Sequence, residues 1–291
     1  MAIAVEIKII EDPVVMHAVE ELQRLVWAGS ETDLVPVHVL RSTVQHGGLL
    51  IGAWVGEHLA GFVFGFPGFY LTPDGPRLEH YSHMLGVHPD FRNQGIGYRL
   101  KRAQWQMVRQ QGIDRITWTY DPLLSRNAWL NITRLGTVCN TYLPDFYGTM
   151  RDELNLGVAS DRFQVDWWVN TRRVNHRLSR EARDPLELDH YLNGEVRILN
   201  PARHIADGSL EVSEWKGYPA DPLETFLLVE IPANFLGLKS LNPALAGRWR
   251  MHTRRIFQEL FAQGYLVTDF VHLSGEHPRS YYVLCHGDST L

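Results

Sequence analysis

The sequence predicts an α/β fold, and three of its features do so. Runs with the two-residue alternation of strands interleave with runs of helical period, a glycine-rich loop joins one such strand directly to one such helix, and 45% hydrophobic with 21% charged residues over 291 positions suffices for a buried core. The length allows one large or two ordinary domains.

Val5 to Ile10 alternates apolar Val5, Ile7 and Ile9 with polar neighbours and predicts a half-buried strand. Pro13 then opens a helix in which Val15, Val19, Leu22, Val26 and Trp27 fall near one face, proline being well placed in a first turn. A shorter helix over Val37 to Gln45 ends at Gly47-Gly48. Leu49 to Val55 and Leu59 to Phe66 are apolar runs split by Gly56-Glu57-His58, which predicts a hairpin. A strand from Glu79 to Val87 meets Pro89 and the loop Arg92-Asn93-Gln94-Gly95-Ile96-Gly97-Tyr98. Leu100, Ala103, Met107 and Val108 then mark a helix to about Gln111, with Gly112 as its cap. Ile116 to Tyr120 reads as the next strand, broken by Asp121-Pro122. Ser125 can cap a following helix that Ala128 to Leu135 completes before Gly136.

The loop carries chemistry. Gly95 and Gly97 lack Cβ atoms, so the backbone can approach a ligand, while first-turn helix amides, the positive end of the helix dipole and Arg92 together favour a phosphate or pyrophosphate. A dinucleotide fingerprint would want a glycine at Leu100, and a P-loop would want Gly-Lys-Ser/Thr, which the chain lacks.

Arg92, Gly95 and Gly97, standing after a strand that ends in Val87-His88-Pro89, resemble motif A of the GCN5-related N-acetyltransferases, the GNAT superfamily. The element order from Val5 to Gly148 is similar to that of a GNAT domain. The resemblance implies a central mixed, mostly antiparallel sheet flanked by helices, with acetyl-CoA or coenzyme A as co-substrate and direct attack of an acceptor amine on the thioester. It implies a donor site made of Leu85, Gly86 and Val87, whose backbone meets the pantetheine amides where two parallel strands splay apart, and of Arg92, Asn93, Gln94, Gly95, Ile96, Gly97 and Tyr98. The phrases Asp121-Pro122-Leu123, Asn127-Ala128-Trp129-Leu130-Asn131 and Asp161-Arg162-Phe163 resemble a bacterial group of longer, uncharacterised GNAT proteins.

The chain departs from the family pattern further on. Ser125, Ile132 and Thr137 occupy positions usually held by asparagine, tyrosine and phenylalanine, and isoleucine cannot protonate a departing thiolate. Tyr142 and Tyr147 are the replacement acids, with Cys139 a distant third. Asn127, four residues before Asn131 and so on one helix face with it, is the coenzyme-contacting asparagine that the resemblance suggests, shifted by two positions.

A base is also needed, because an amine near pKa 10 is mostly charged at neutral pH. The family's glutamate would fall at Tyr81, so Glu79 and His83 are the candidates. Both share a strand face with Tyr81 and Leu85, while His80, Ser82 and Met84 share the other. His83 ranks first, its ordinary pKa near 6.5 needing little tuning. His80 and His83 lie on opposite strand faces and no His-Glu-x-x-His occurs, so no metal is expected.

A formal net charge of −5 argues against nucleic acid as a partner. The partners expected are a small-molecule or peptide amine acceptor and a second copy of the chain in a homodimer. Two cysteines form no disulfide framework or zinc motif, and no run is apolar enough for a leader or a membrane span, so a cytoplasmic setting is expected with no membrane partner.

Two domains are expected, a coenzyme-binding one over 1–150 and a smaller α/β half over 160–291. In the latter, Asp161 to Val169 reads as a strand and Asn170 to Asp184 as an exposed helix or linker. Phe226 to Phe235, a helix from Leu245 to Gln263 and a strand from Tyr265 to His272 echo Met84 to Tyr120, as a truncated GNAT-like repeat would. The repeat lacks the Arg-x-x-Gly-x-Gly loop. Arg172, Arg173, Arg177 and Arg180, and Arg248, Arg250, Arg254 and Arg255, read as solvated basic helix faces, with an anionic substrate pocket as the other reading of the second set.

Overall fold

The computed structural model describes residues 4–27, 34–148, 157–179, 184–204, 210–218 and 224–287. They form two compact units. The first takes the chain up to Trp118 together with residues 168–170, and the second takes the rest. The boundary expected between 150 and 160 falls largely outside the described residues, as does Arg180.

The first unit contains β1 (Glu6–Ile9), α1 (Pro13–Val26), α2 (Val37–Gln45), β2 (Leu49–Val55), β3 (His58–Thr72), β4 (Gly75–Val87), α3 (Ile96–Gln110) and the start of β5 (Arg115–Tyr120). The sheet order is β1-β2-β3-β4-β5, antiparallel except for the parallel β4–β5 pair. This is the mixed, mostly antiparallel sheet with flanking helices.

Local chemistry sets the ends of α1. The Asp12 side chain accepts from the Val14 amide at 2.9 Å, and Pro13 occupies the first turn, where its missing N–H costs nothing. The face at Met16, Val19 and Leu22 is buried with Leu40 of α2 against Leu50, Phe62 and Phe64. Each such side chain contributes about 1.5–3 kcal/mol. On β3, Gly61 turns the other way, its missing Cβ leaving room for Ile96 and Leu100 of α3. Trp105 of α3 donates its indole N–H to the Val169 carbonyl at 2.9 Å.

The β3–β4 hairpin is longer than its apolar runs suggest, reaching Thr72 and Gly75 rather than stopping at Phe66 and Glu79. β2 begins at Leu49 opposite Gly65, so beyond Gly65 β3 pairs only with β4 and Pro67 sits on an edge, where proline is tolerated. A bulge also interrupts the hairpin: Phe66 pairs with Tyr81 but Phe64 with Met84, so Ser82 and His83 together oppose Gly65.

The second unit holds the end of β5, α4 (Ser125–Ala128) continuing as a π-helical turn over Trp129–Arg134, and β6 (Val138–Leu143), β7 (Arg162–Trp168), α5 (Arg172–Leu178) and α6 (Leu188–Asn193). There follow β8 (Arg197–Ile198), the short pair β9 (Arg203–His204) and β10 (Leu210–Glu211), β11 (Phe226–Ile231), α7 (Phe235–Leu241), α8 (Pro243–Ala262), β12 (Leu266–Leu273) and β13 (Arg279–Cys285). Its larger sheet runs β7-β6-β12-β13-β11-β8. The strand–helix–strand order expected from Phe226 to His272 is present, with α7 in the stretch read as loop. β13 pairs antiparallel with both β11 and β12 and so stands between them, whereas β4 and β5 are direct neighbours. Phe163, Phe257, Phe270 and Tyr282 form the aromatic centre, with ring centroids 4.7–5.3 Å apart where Phe163 meets Phe257 and Tyr282, and Phe270 meets Tyr282.

The arginines read as solvated faces turn inward in part. Arg173 donates to the Gly136 and Thr268 carbonyls, and Arg177 pairs with Asp269 at 2.6 Å. On α8, Arg250 pairs with Asp121 through two hydrogen bonds and Arg254 with Asp161. Helical periodicity placed these residues on one face, but their partners come from distant segments that local sequence does not reveal. Among the described residues no helix is long and apolar enough to cross a membrane, and no group of three His, Cys, Asp or Glu side chains is placed to hold a metal ion.

Candidate functional site

β4 leads into the candidate site. Its parallel ladder with β5 consists of His80↔Ile116 and Tyr81↔Thr117 and does not extend to Val87, while its other edge stays paired with β3 as far as Gly61↔Val87. Leu85, Gly86 and Val87 therefore present one open main-chain edge, and such groups need partners. A Cβ on Gly86 would lie 2.8 Å from the Phe62 ring and 3.3 Å from Trp27, so close packing excludes a side chain there.

Beyond Val87 a 3-10 turn over Pro89–Phe91 is capped by His88, whose Nδ1 accepts from the Asp90 amide at 3.2 Å. The Arg92 Nε donates to the Val87 carbonyl at 3.3 Å, which folds the loop back on the strand end. Asn93 (φ 66°) and Gly95 (φ 75°) adopt left-handed backbone, a conformation that glycine and asparagine reach most cheaply. Residues 92–95 are exposed. α3 then starts at Ile96 with Gly95 as its N-cap, so no side chain covers its first turn, which holds Gly97 and Tyr98. An exposed arginine, a left-handed turn and an uncapped helix start suit a pyrophosphate.

His83 sits at the bulge. Its ring packs against three aromatic neighbours, with centroid distances of 6.1 Å to Phe64, 5.8 Å to Phe66 and 6.0 Å to Tyr81. The residue nevertheless remains exposed to solvent. Partial desolvation by these rings lowers its pKa below 6.5, which keeps the imidazole neutral at pH 7. Glu79 is held differently: its carboxylate meets Arg115 at 2.6 Å, in a pair whose side chains are 14% and 11% exposed.

The bulge corrects the strict alternation read from the sequence. His80 and Ser82 do share the face toward α3, but Met84 falls with Phe64 on the α1–α2 face, and Leu85 moves to the face opposite Tyr81 and His83. An inserted residue reverses every side chain after it, and no local sequence signal marks it.

On the α3 face lies a polar cluster that the sequence did not suggest. Lys101, 3% exposed, donates to Ser82 Oγ at 2.7 Å and Gln104 Oε1 at 3.3 Å, with its ammonium 3.5 Å from the Trp118 ring centroid. Gln104 Nε2 donates to His80 Nε2 at 3.1 Å, so the His80 proton is on Nδ1, which is buried without a partner. Burial, then the Lys101 charge, lowers the His80 pKa to about 3; burial also holds the Lys101 amine well below 10.5.

The remaining candidates belong to the second unit. Tyr142 is buried and donates to Asp161 Oδ2 at 2.6 Å; Arg254 and the Asp145 amide also bind that carboxylate. Burial, then the Asp161 charge, pushes the Tyr142 pKa far above 10. Tyr147 is 46% exposed, its hydroxyl 3.0 Å from Thr119 Oγ1. Cys139 is wholly buried. Asn127 is half-buried in α4, and from Trp129 the chain winds as a π helix, with Leu135 N–H donating to the Leu130 carbonyl at 2.9 Å. Neither the α turn nor the wider π turn carries residues four apart to opposite faces, so Asn127 and the buried Asn131 stay on one side of the helix.

Residues 16–129 match the family model described as Acetyltransferase (GNAT) family. A comparison with curated proteins finds no match. Among solved structures, Arabidopsis thaliana NAA60 in complex with acetyl-CoA is 15% identical over 57% of this chain and 99% of its own, with a TM-score of 0.45. Ard1 from Thermoplasma volcanium is 16% identical over 56% and 97%, with a TM-score of 0.43. The IAA acetyltransferase from Bacillus cereus is 15% identical over 56% and 98%, with a TM-score of 0.41.

Proposed function

We propose, from the GNAT acetyltransferase domain to which residues 16–129 belong, that the protein moves an acetyl group from acetyl-CoA to an amine by direct attack. One observation carries the reading: the edge of β4 opens after Tyr81 and runs directly into an exposed left-handed loop and an uncapped helix start. Leu85, Gly86 and Val87 would hold the pantetheine amides by main-chain hydrogen bonds, and Arg92 to Tyr98 the pyrophosphate. Acetyl-CoA supplies the activated thioester.

His83 takes the proton from the attacking amine, since its imidazole is neutral at pH 7 and the residue is exposed. Glu79, ion-paired with Arg115, is second in rank as the base. Of the two tyrosines, Tyr147 is the better candidate to protonate the departing thiolate, because the Tyr142 hydroxyl is committed to Asp161. Asn127 is proposed as a coenzyme contact by position alone. A cytoplasmic setting is part of the proposal, and the two free, buried cysteines are consistent with it.

A second reading, coenzyme A binding without transfer, is favoured by one residue: Ile132 is fully buried where the family pattern carries its tyrosine. Calorimetry tests the donor site. Acetyl-CoA and coenzyme A should bind while NAD does not, and Gly97→Trp should abolish binding. Failure of both coenzyme A species to bind at millimolar concentration would refute the assignment, and acetyl-CoA binding without turnover on an amine panel would select the second reading.

A further inference from the structure

α2 residues and the stretch of β3 just past the start of β2 line an open cleft of about 390 Å³, made of Val39, Thr43, His46, Phe66 and Pro67. This is a reasonable volume for a small-molecule site. The Phe66 wall joins the cleft to the candidate base, since its ring also packs against His83 at 5.8 Å and Tyr81 at 5.7 Å.

The lining is selective in what it lacks. Among the described residues that line it there is no Arg or Lys to pair with a phosphate or carboxylate and no Asp or Glu to pair with a second ammonium, and an unpaired charge at an apolar wall is costly. What it offers is three apolar side chains, a threonine hydroxyl and a histidine ring. The ring is oriented: His46 Nδ1 lies 2.7 Å from the Ser42 carbonyl, which can only accept, so Nδ1 carries a proton and Nε2 is the nitrogen left to meet a ligand.

We infer that this cleft is the acceptor subsite and takes a monoamine with an aromatic body whose far end carries one hydrogen-bond donor. The ring lies on Phe66 between Val39 and Pro67, the amine points to His83, and the donor meets His46 Nε2. The inference rests on the acetyltransferase reading for the reaction but on the cleft alone for the ligand class.

The experiment uses the full chain with coenzyme A present, so that ligands bind without turnover, and measures binding of tyramine, 2-phenylethylamine and spermidine by calorimetry. Tyramine should bind more tightly than 2-phenylethylamine, and spermidine at least tenfold more weakly than either. Val39→Trp, a substitution on an exposed helix position, should weaken tyramine at least tenfold and leave coenzyme A binding unchanged. His46→Ala should bring tyramine down to the level of 2-phenylethylamine. No tyramine binding at millimolar concentration, preference for spermidine, or tyramine binding untouched by Val39→Trp would each overturn the inference. A protein that binds coenzyme A but not tyramine loses this subsite alone, whereas one that binds tyramine but no coenzyme A retains the ligand class and loses the acetyltransferase reading.

Discussion

Buried Lys101 and His80 make the stability of the first unit depend on pH in a defined direction. In the folded chain His80 stays neutral until about pH 3, because burial and the nearby Lys101 charge oppose its protonation. In the unfolded chain it takes a proton near pH 6.5. Between these values the unfolded state binds more protons, so stability falls as the solution is acidified through this window. The slope is about 1.4 kcal/mol per pH unit and the loss up to about 5 kcal/mol over the full window. Lys101 acts with the same sign at higher pH: its folded pKa lies below 10.5, so the unfolded state holds the extra proton in the window below 10.5 and stability rises with pH there. Both groups make the unit more stable toward alkaline pH.

The perturbation that isolates Lys101 is Lys101→Met, which keeps most of the volume over Trp118 and removes the amine. Replacing a buried polar group together with its hydrogen bonds by an apolar side chain of similar size can be nearly neutral, so the variant should remain folded. Urea unfolding followed by tryptophan fluorescence at several pH values from 5 to 9.5 is the assay. Wild type should gain stability across the range, and the variant should show a flatter slope above pH 7. A wild-type stability that is flat or falling toward pH 9.5, or an unchanged slope in Lys101→Met, would show that the amine is charged in the folded chain and refute the reasoning.

Four further outcomes are expected. Gly86→Ala should destabilise by about 1–3 kcal/mol in thermal or urea unfolding, because its Cβ meets the Phe62 ring at 2.8 Å. Tyr142→Phe should cost about 1–3 kcal/mol of stability with kcat nearly unchanged, while Tyr147→Phe should lower kcat with little change in stability, as kinetics beside unfolding curves will check. Asp121→Ala should destabilise the second unit by about 3–5 kcal/mol by leaving Arg250, 2% exposed, without its carboxylate. The acid limb of the kcat/KM profile should have an apparent pKa below 6.5 and vanish in His83→Gln, since protonation of His83 removes the base.

The order of elements in the first unit was legible in the sequence because local rules set it. Pro13 starts α1, Gly47-Gly48 and Gly112 end helices, and the run Val87 to Gly97 needs a strand, a tight loop and a helix in that order. The loop from Arg92 to Tyr98 was legible for the same reason: its requirements are left-handed backbone and missing Cβ atoms, which are properties of single residues. Tertiary structure alone decided the rest. The bulge at Ser82 and His83 depends on how β4 registers against β3, and it turns Leu85 away from His83 against the alternation of the strand. The commitment of Tyr142 to Asp161, of Arg250 to Asp121 and of Lys101 to Ser82 and Gln104 joins residues 19, 129, 19 and 3 positions apart, and only the folded chain brings the longer pairs together. Periodicity records which face of an element a residue occupies. It carries no information about what another element places opposite, and that decides which tyrosine is held in the core and which remains exposed.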